Sequence, residues 1–136
     1  RFSMHTMGDA KDSFMLDIKD HRVLVDGWYY WIIRMNTVDA EARGIKDGDL
    51  VRAYNDRGSV ILCAQVGERV QPGTVHSYES CAEYAPLGKP GCSADRGGCV
   101  NILTPDRYMS KYACGMAPNS AQVEVEKWDG GIYEIY

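Results

Sequence analysis

The apolar positions fall into short runs, broken roughly every 8 to 12 residues by Gly, Pro, Asn or Asp. Residues 21–25 (HRVLV) alternate and predict a short strand, and Asp26-Gly27 after them predicts a hairpin turn. Residues 28–35 (WYYWIIRM) are aromatic and β-branched, the composition of a second strand. Asn36-Thr37 then offers an N-cap, residues 38–43 (VDAEAR) are good helix formers, and Gly44 stands where a left-handed residue ends a helix. A short helix is therefore predicted over 37–43. A turn at 47–49 leads into a strand at 50–54, a loop at 55–58 and a return strand at 59–66 (SVILCAQV). Gln71-Pro72-Gly73 is a tight turn before a strand at 74–78, and residues 121–128 (AQVEVEKW) alternate as a strand with one wet face.

Between these runs the pattern is weaker. Asp12-Ser13 can cap a short helix or turn over 14–18. Residues 79–98 hold Pro86, Gly88, Pro90, Gly91, Gly97 and Gly98 and predict a long irregular loop, uncommon unless functional or inserted. Residues 99–103 read as a short strand or a turn. Thr104-Pro105-Asp106 reads as a cap with Pro in the first helical position, predicting a short helix to Tyr112. Roughly six or seven short strands with one or two short helices make a mainly β chain, a small barrel or a sandwich.

Composition narrows the class. At 136 residues, the chain suits a single domain over 1–136. With 45% apolar and 25% charged residues it has the balance of a globular domain with a real core. Nineteen acidic against fifteen basic residues give a net charge of −4, which argues against nucleic acid as a partner, since phosphates need a basic footprint. No apolar run reaches the eighteen residues of a membrane span. The chain opens on Arg1 with no leader pattern, the expectation for a piece of a longer protein, and residues 128–136 read as a natural C-terminus. Five cysteines, an odd number with no CxxC pair, predict reduced thiols in a cytoplasmic protein rather than a disulfide framework, a zinc site or an iron–sulfur site.

No complete catalytic set emerges. His5, His21 and His76 have no metal-ligand spacing, and GxSxG, Walker and GxGxxG motifs are absent. Gly58-Ser59 matches the dipeptide at which some small barrels cleave themselves, but closing a hairpin explains it without chemistry. Two polar groups stand out. One is Arg1, Ser3, Met4, His5 and Thr6 ahead of Gly8. The other is Asn101 with Thr104 after the glycine-rich stretch, followed by Asn119-Ser120 before the last strand. Amide side chains and loop N–H groups suit the edge of a heterocycle or a phosphate oxygen, although turn chemistry explains each as well.

The segment Asn36-Thr37-Val38-Asp39-Ala40-Glu41-Ala42-Arg43-Gly44-Ile45-Lys46-Asp47-Gly48-Asp49-Leu50-Val51, then Arg57-Gly58 and Pro72-Gly73, resembles the C-terminal dinucleotide-binding domain of the dimethyl sulfoxide reductase family of molybdenum and tungsten enzymes. The likeness extends over essentially the whole chain. Within that family, residues 1–9, 77–82, 93–99, 101–108 and 126–130 are most similar to the transhydroxylase branch. The resemblance implies a six-stranded double-psi β-barrel with short helices, of the aspartate-decarboxylase-like kind. It implies a bis-molybdopterin guanine dinucleotide cofactor with Mo or W, contacted by Phe2, Ser3, Met4, His5 and Thr6, by Ser77, Tyr78 and Glu79, and by Asn101 and Asn119. Many relatives have Lys where Asn119 stands, which removes a charge toward phosphate but leaves an amide. The metal ligand and the acid–base groups of the family lie upstream, so this chain is expected to bind and position, with no catalytic or metal-ligating residue of its own. Upstream domains of a large subunit, an iron–sulfur small subunit and a polyphenol substrate are the implied partners.

Overall fold

A computed structural model describes residues 20–78, 83–105, 108–116 and 121–134. The candidate positions Phe2, Ser3, Met4, His5, Thr6, Glu79 and Asn119, and the cap expected at Asp12-Ser13, lie outside the described residues. The described chain is mainly β. Its strands are β1 (Arg22–Val25), β2 (Trp28–Asn36), β3 (Leu50–Asn55), β4 (Gly58–Gly67), β5 (Val75–Ser77), β6 (Tyr108–Ser110), β7 (Ala113–Met116) and β8 (Glu124–Lys127), with a helix α1 at Thr37–Ala42 and a 3-10 turn at Val100–Leu103.

Six strands form one sheet in the order β1-β2-β4-β3-β8, with β5 added along β2. The β1–β2 hairpin turns through Asp26 and Gly27, whose φ values of 50° and 81° fit the turn that matches strand twist. β3 and β4 form a second hairpin from Asn55↔Gly58 to Leu50↔Cys63. β2 and β4 instead run parallel, Ile32↔Cys63 to Asn36↔Gly67, so the connection between them, which includes α1 and β3, crosses over. Among the described residues the ends of the sheet do not pair with one another, and the sheet is open.

β4 lies between β2 and β3 and is buried on both faces. Its two-residue period sends Val60, Leu62 and Ala64 into a large core with Ile33, Met35, Val51 and Val125. Ile61 and Cys63 meet Tyr30 and Ala94 on the other side. Helix α1 starts as predicted: Asn36 Oδ1 accepts from Val38 N at 3.0 Å, and Asn36 Nδ2 donates to Val70 O at 2.9 Å, tying the cap to the turn before β5.

The helix expected over 104–112 is not formed. Tyr108–Ser110 and Ala113–Met116 pair as an antiparallel hairpin of their own. Tyr108, Ser110 and Tyr112 are poor helix formers, and Ser110 Oγ accepts from Tyr112 N at 3.3 Å, so local turn chemistry and strand pairing outweigh the Thr-Pro-Asp start signal. Residues 99–103, read as strand or turn, hold the 3-10 turn, and the alternating run at 121–128 is ladder-paired only over Glu124–Lys127.

The irregular stretch before residue 98 is anchored by Asp95, whose side chain is fully buried. One carboxylate oxygen accepts from Ala85 N at 2.7 Å and Gly97 N at 2.9 Å, and the other accepts from Cys99 N at 2.8 Å. The Asp95 backbone bonds to β4 as well, donating to Ser59 O at 3.0 Å and accepting from Ile61 N at 2.8 Å. Gly97 follows because a Cβ there would run into the Glu83 carbonyl. Arg52, on β3, stacks between the rings of Tyr54 and Tyr133, each 3.7 Å away, and pairs with Glu126 at 2.8 Å; the segment after β8 is thereby held against the sheet.

Candidate functional site

Strand alternation decides what each residue near β5 can do. Val75 and Ser77 face one side of the sheet, and His76 and the following Tyr78 face the other. On the first side is a cleft of about 120 Å³ lined by Ser77, Asn101 and Thr104 together with Ile33, Leu62, Val75 and Val100. Ser77 and Asn101, remote in sequence, are thus brought together. Ser77 Oγ donates to Ile32 O at 2.7 Å, which fixes its rotamer and leaves its lone pairs available to accept. Thr104 Oγ1 donates to Asn101 O at 2.7 Å, so the short turn holds its own backbone while the Asn101 side chain remains exposed.

A larger cleft of about 520 Å³ adjoins it, sharing Val75, Ala121 and Val123, and contains Asp39, Arg43 and Glu124. Arg43 and Glu124 pair at 3.6 Å, and Asp39 accepts from Gly73 N at 2.7 Å. Among the described residues lining the smaller cleft there is no cation, and Arg43 is the cation lining the larger one. Neutral donors and acceptors over apolar side chains suit the edge and face of a flat heterocycle. Among the described residues no group of three or more His, Cys, Asp and Glu could hold a metal ion. Cys63 and Cys92 are free thiols, and burial pushes the Cys63 thiol up.

Tyr78 points the other way. It is 8% exposed, its ring packs 4.4 Å from that of His21, and its hydroxyl accepts from Arg34 Nη2 at 3.0 Å. The Arg34 guanidinium also donates to Gln65 Oε1 at 2.8 Å and lies 3.1 Å from His76 Nδ1. Arginine has only donors, so Nδ1 must accept, which keeps His76 neutral. Burial, with the charge of Arg34 adding to it, pushes His76 down to about 4. At the solvent edge Asp20 accepts from Arg69 at 2.8 Å, and that bond holds its carboxyl below the usual range. Arg34 and Gln65 were not singled out from sequence. The available signal was an arginine inside an otherwise apolar and aromatic strand, a charge that must be paired if buried.

A family model described as molydopterin dinucleotide binding domain matches residues 5–122. The chain is 77% identical over 136 residues to the pyrogallol hydroxytransferase large subunit of Pelobacter acidigallici, an alignment covering 100% of this chain and 16% of that protein. It is 42% identical over 108 residues to a trimethylamine-N-oxide reductase of Haemophilus influenzae, covering 76% of this chain and 13% of the relative. A dimethyl sulfoxide/trimethylamine N-oxide reductase of Cereibacter sphaeroides is 41% identical over 98 residues, 71% of this chain and 12% of the relative. The chain spans no more than 16% of the length of these relatives.

Proposed function

The chain belongs to the molybdopterin dinucleotide-binding domain family, and from that premise we propose that it forms one wall of a bis-molybdopterin guanine dinucleotide site in a larger catalytic subunit. Ser77, Asn101 and Thr104 would hold the edge of a heterocycle of that cofactor, with Phe2, Ser3, Met4, His5, Thr6, Glu79 and Asn119 as the further positions expected to surround it; Tyr78, turned to the opposite face of the sheet, would act only from behind. The lining fits such a group: neutral amide and hydroxyl groups stand beside apolar side chains, as a flat polar ring requires. The pyrophosphate charges would be met outside the smaller cleft. The parallel β2–β4 pairing across a crossover supports a double-psi barrel as the complete fold.

The molybdenum or tungsten centre supplies the group-transfer chemistry when bound, and this chain binds, orients and excludes water. The observation that carries the reaction assignment is 77% identity over all 136 residues to a pyrogallol hydroxytransferase large subunit, against 42% over 76% of the chain for the trimethylamine-N-oxide reductase. The proposed reaction is hydroxyl transfer between polyhydroxylated benzenes, pyrogallol to phloroglucinol, in a cytoplasmic enzyme with an iron–sulfur small subunit. No described helix is long and apolar enough to cross a membrane.

Metal content and intact mass of the protein purified from its source test this reading. A subunit several times longer than this chain, with stoichiometric Mo or W and pyrogallol-dependent formation of phloroglucinol, is expected. A metal-loaded subunit reducing N-oxides or sulfoxides instead would keep the cofactor site and overturn the reaction. A metal-free protein of about the mass of this chain would overturn both, and favour a barrel that serves as an interaction module. Ser77→Ala and Asn101→Ala should each weaken cofactor retention about fivefold, the worth of one ordinary hydrogen bond. Unchanged retention in both would remove them from the site.

A further inference from the structure

We propose that Arg34 is the positioning residue for the cofactor cleft: from the opposite face of the sheet, its buried guanidinium clamps β5 through His76 and Tyr78, and so sets where Ser77 stands. The inference rests on the cofactor reading above.

β5 is three residues long and meets only β2 in the sheet of described residues. Three register pairs, Ile33↔Ser77, Arg34↔His76 and Met35↔Val75, give it little ladder of its own. A strand this short is marginal without side-chain anchoring. Arg34 provides that anchoring on both sides of Ser77, at 3.1 Å to His76 Nδ1 and 3.0 Å to the Tyr78 hydroxyl. Its cation also lies 5.1 Å from the centre of the Tyr78 ring. The third donor group is taken by Gln65 on β4, 2.8 Å away, so the clamp is referred to the most buried strand of the sheet. Arg34 itself is 8% exposed and cannot swing out to water at low cost.

The fork geometry matters. One planar group addresses three acceptors on β4, β5 and the residue after β5 at once. A lysine at this position offers a point charge on a flexible stem and cannot meet all three. A binding group is productive only when the elements behind it hold it still. Arg34, without lining the cleft, would then govern how tightly the dinucleotide is held.

The test uses the full-length, cofactor-loaded protein. Two quantities are read: hydrogen exchange over residues 75–78, and the rate at which guanine nucleotide is lost in dilute urea, measured by chromatography after acid release. Arg34→Lys and the gentler Gln65→Met should speed both by about tenfold, the scale of one charge-assisted hydrogen bond. Above pH 6.5, where the imidazole is neutral, His76→Gln, which keeps an acceptor for Nη1, should exchange and hold guanine closer to wild type than Arg34→Lys does. Arg52→Met, which loosens the segment after β8 and lines neither cleft, should leave guanine retention unchanged. Faster exchange in Arg34→Lys with guanine held as in wild type would overturn the positioning role and leave the cofactor reading standing. Equal loss of guanine in Arg52→Met would reduce the effect to general stability and likewise overturn it. A wild-type protein without guanine nucleotide would overturn the cofactor reading itself.

Discussion

Replacing Asp95 by Asn keeps the shape of the side chain and exchanges one carboxylate oxygen for an NH2 group. In the native structure the two oxygens accept three backbone N–H groups, from Ala85, Gly97 and Cys99, at 2.7 to 2.9 Å. With the amide oxygen on the side that takes two bonds, the NH2 confronts the Cys99 N–H, donor against donor, at a spacing of 2.8 Å. The flipped amide would lose two bonds instead of one. A lost charge-assisted bond costs about 1.5–3 kcal/mol, and the two remaining bonds weaken as the acceptor becomes neutral. The sum is about 3 kcal/mol, or roughly a 150-fold rise in local opening. Hydrogen exchange over residues 83–99 of the full-length protein reads this directly. The Ala85, Gly97 and Cys99 amides should lose about two decades of protection, while the paired amides of β3 and β8 keep theirs. Protection within threefold of wild type would mean that the carboxylate does not hold the loop, and the account of residues 83–98 would have to be given up.

Three further outcomes follow from the same structure. Gly97→Ala drives a Cβ into the Glu83 carbonyl, a backbone atom with little room to yield, and should cost about 2–4 kcal/mol; limited proteolysis within 83–98 should become much faster, and an unchanged cleavage rate would refute the packing. Asn36→Ala removes the cap of α1 and the tie to Val70, a loss of about 1–2 kcal/mol that exchange over residues 37–42 should report. His76 is near 6.5 when exposed and about 4 in the fold, so its stabilising contribution is whole above 6.5 and is lost as pH falls from there toward 4, because only the opened form takes up a proton. Protection factors over β5, taken against the intrinsic rate at each pH, should fall through that window and level off below it, and His76→Gln should flatten the profile; a His76→Gln profile identical to wild type would exclude this histidine.

Much of the first half of the fold was legible because its signals are local. Asp26-Gly27, the Asn36 cap and Gly44, with φ of 66°, each demand a specific backbone conformation that the sequence announces. The runs at 28–35 and 59–66 are apolar on both faces, as strands covered on both sides must be. The helix expected over 104–112 failed where a start signal faced residues that pair better as a hairpin. Asp95 could not be distinguished from an ordinary turn residue, since its importance comes from three amides that converge only after folding. The site was half legible. A family resemblance marks Ser77 and Asn101, and the structure puts them on one cleft. Arg34 stayed hidden because its partners lie on β4, on β5 and just beyond, too distant in sequence for any spacing rule to join them.

The parallel register of β2 and β4 has a consequence for the order of assembly. A sheet of successive hairpins can zip from its turns, but β2 cannot meet β4 until the chain between them has doubled back. The β3–β4 hairpin, closed by a short turn, is the piece that can form early; β2 and β8 must then find its two edges across long stretches of coil. In the interval β4 presents an apolar, hydrogen-bond-hungry edge open to the wrong strand. Newly made chains should therefore be most vulnerable to aggregation before β2 docks. Pulse-labelled exchange during refolding would reveal it as β3–β4 amides protected ahead of those shared with β2, and simultaneous protection of both would contradict it.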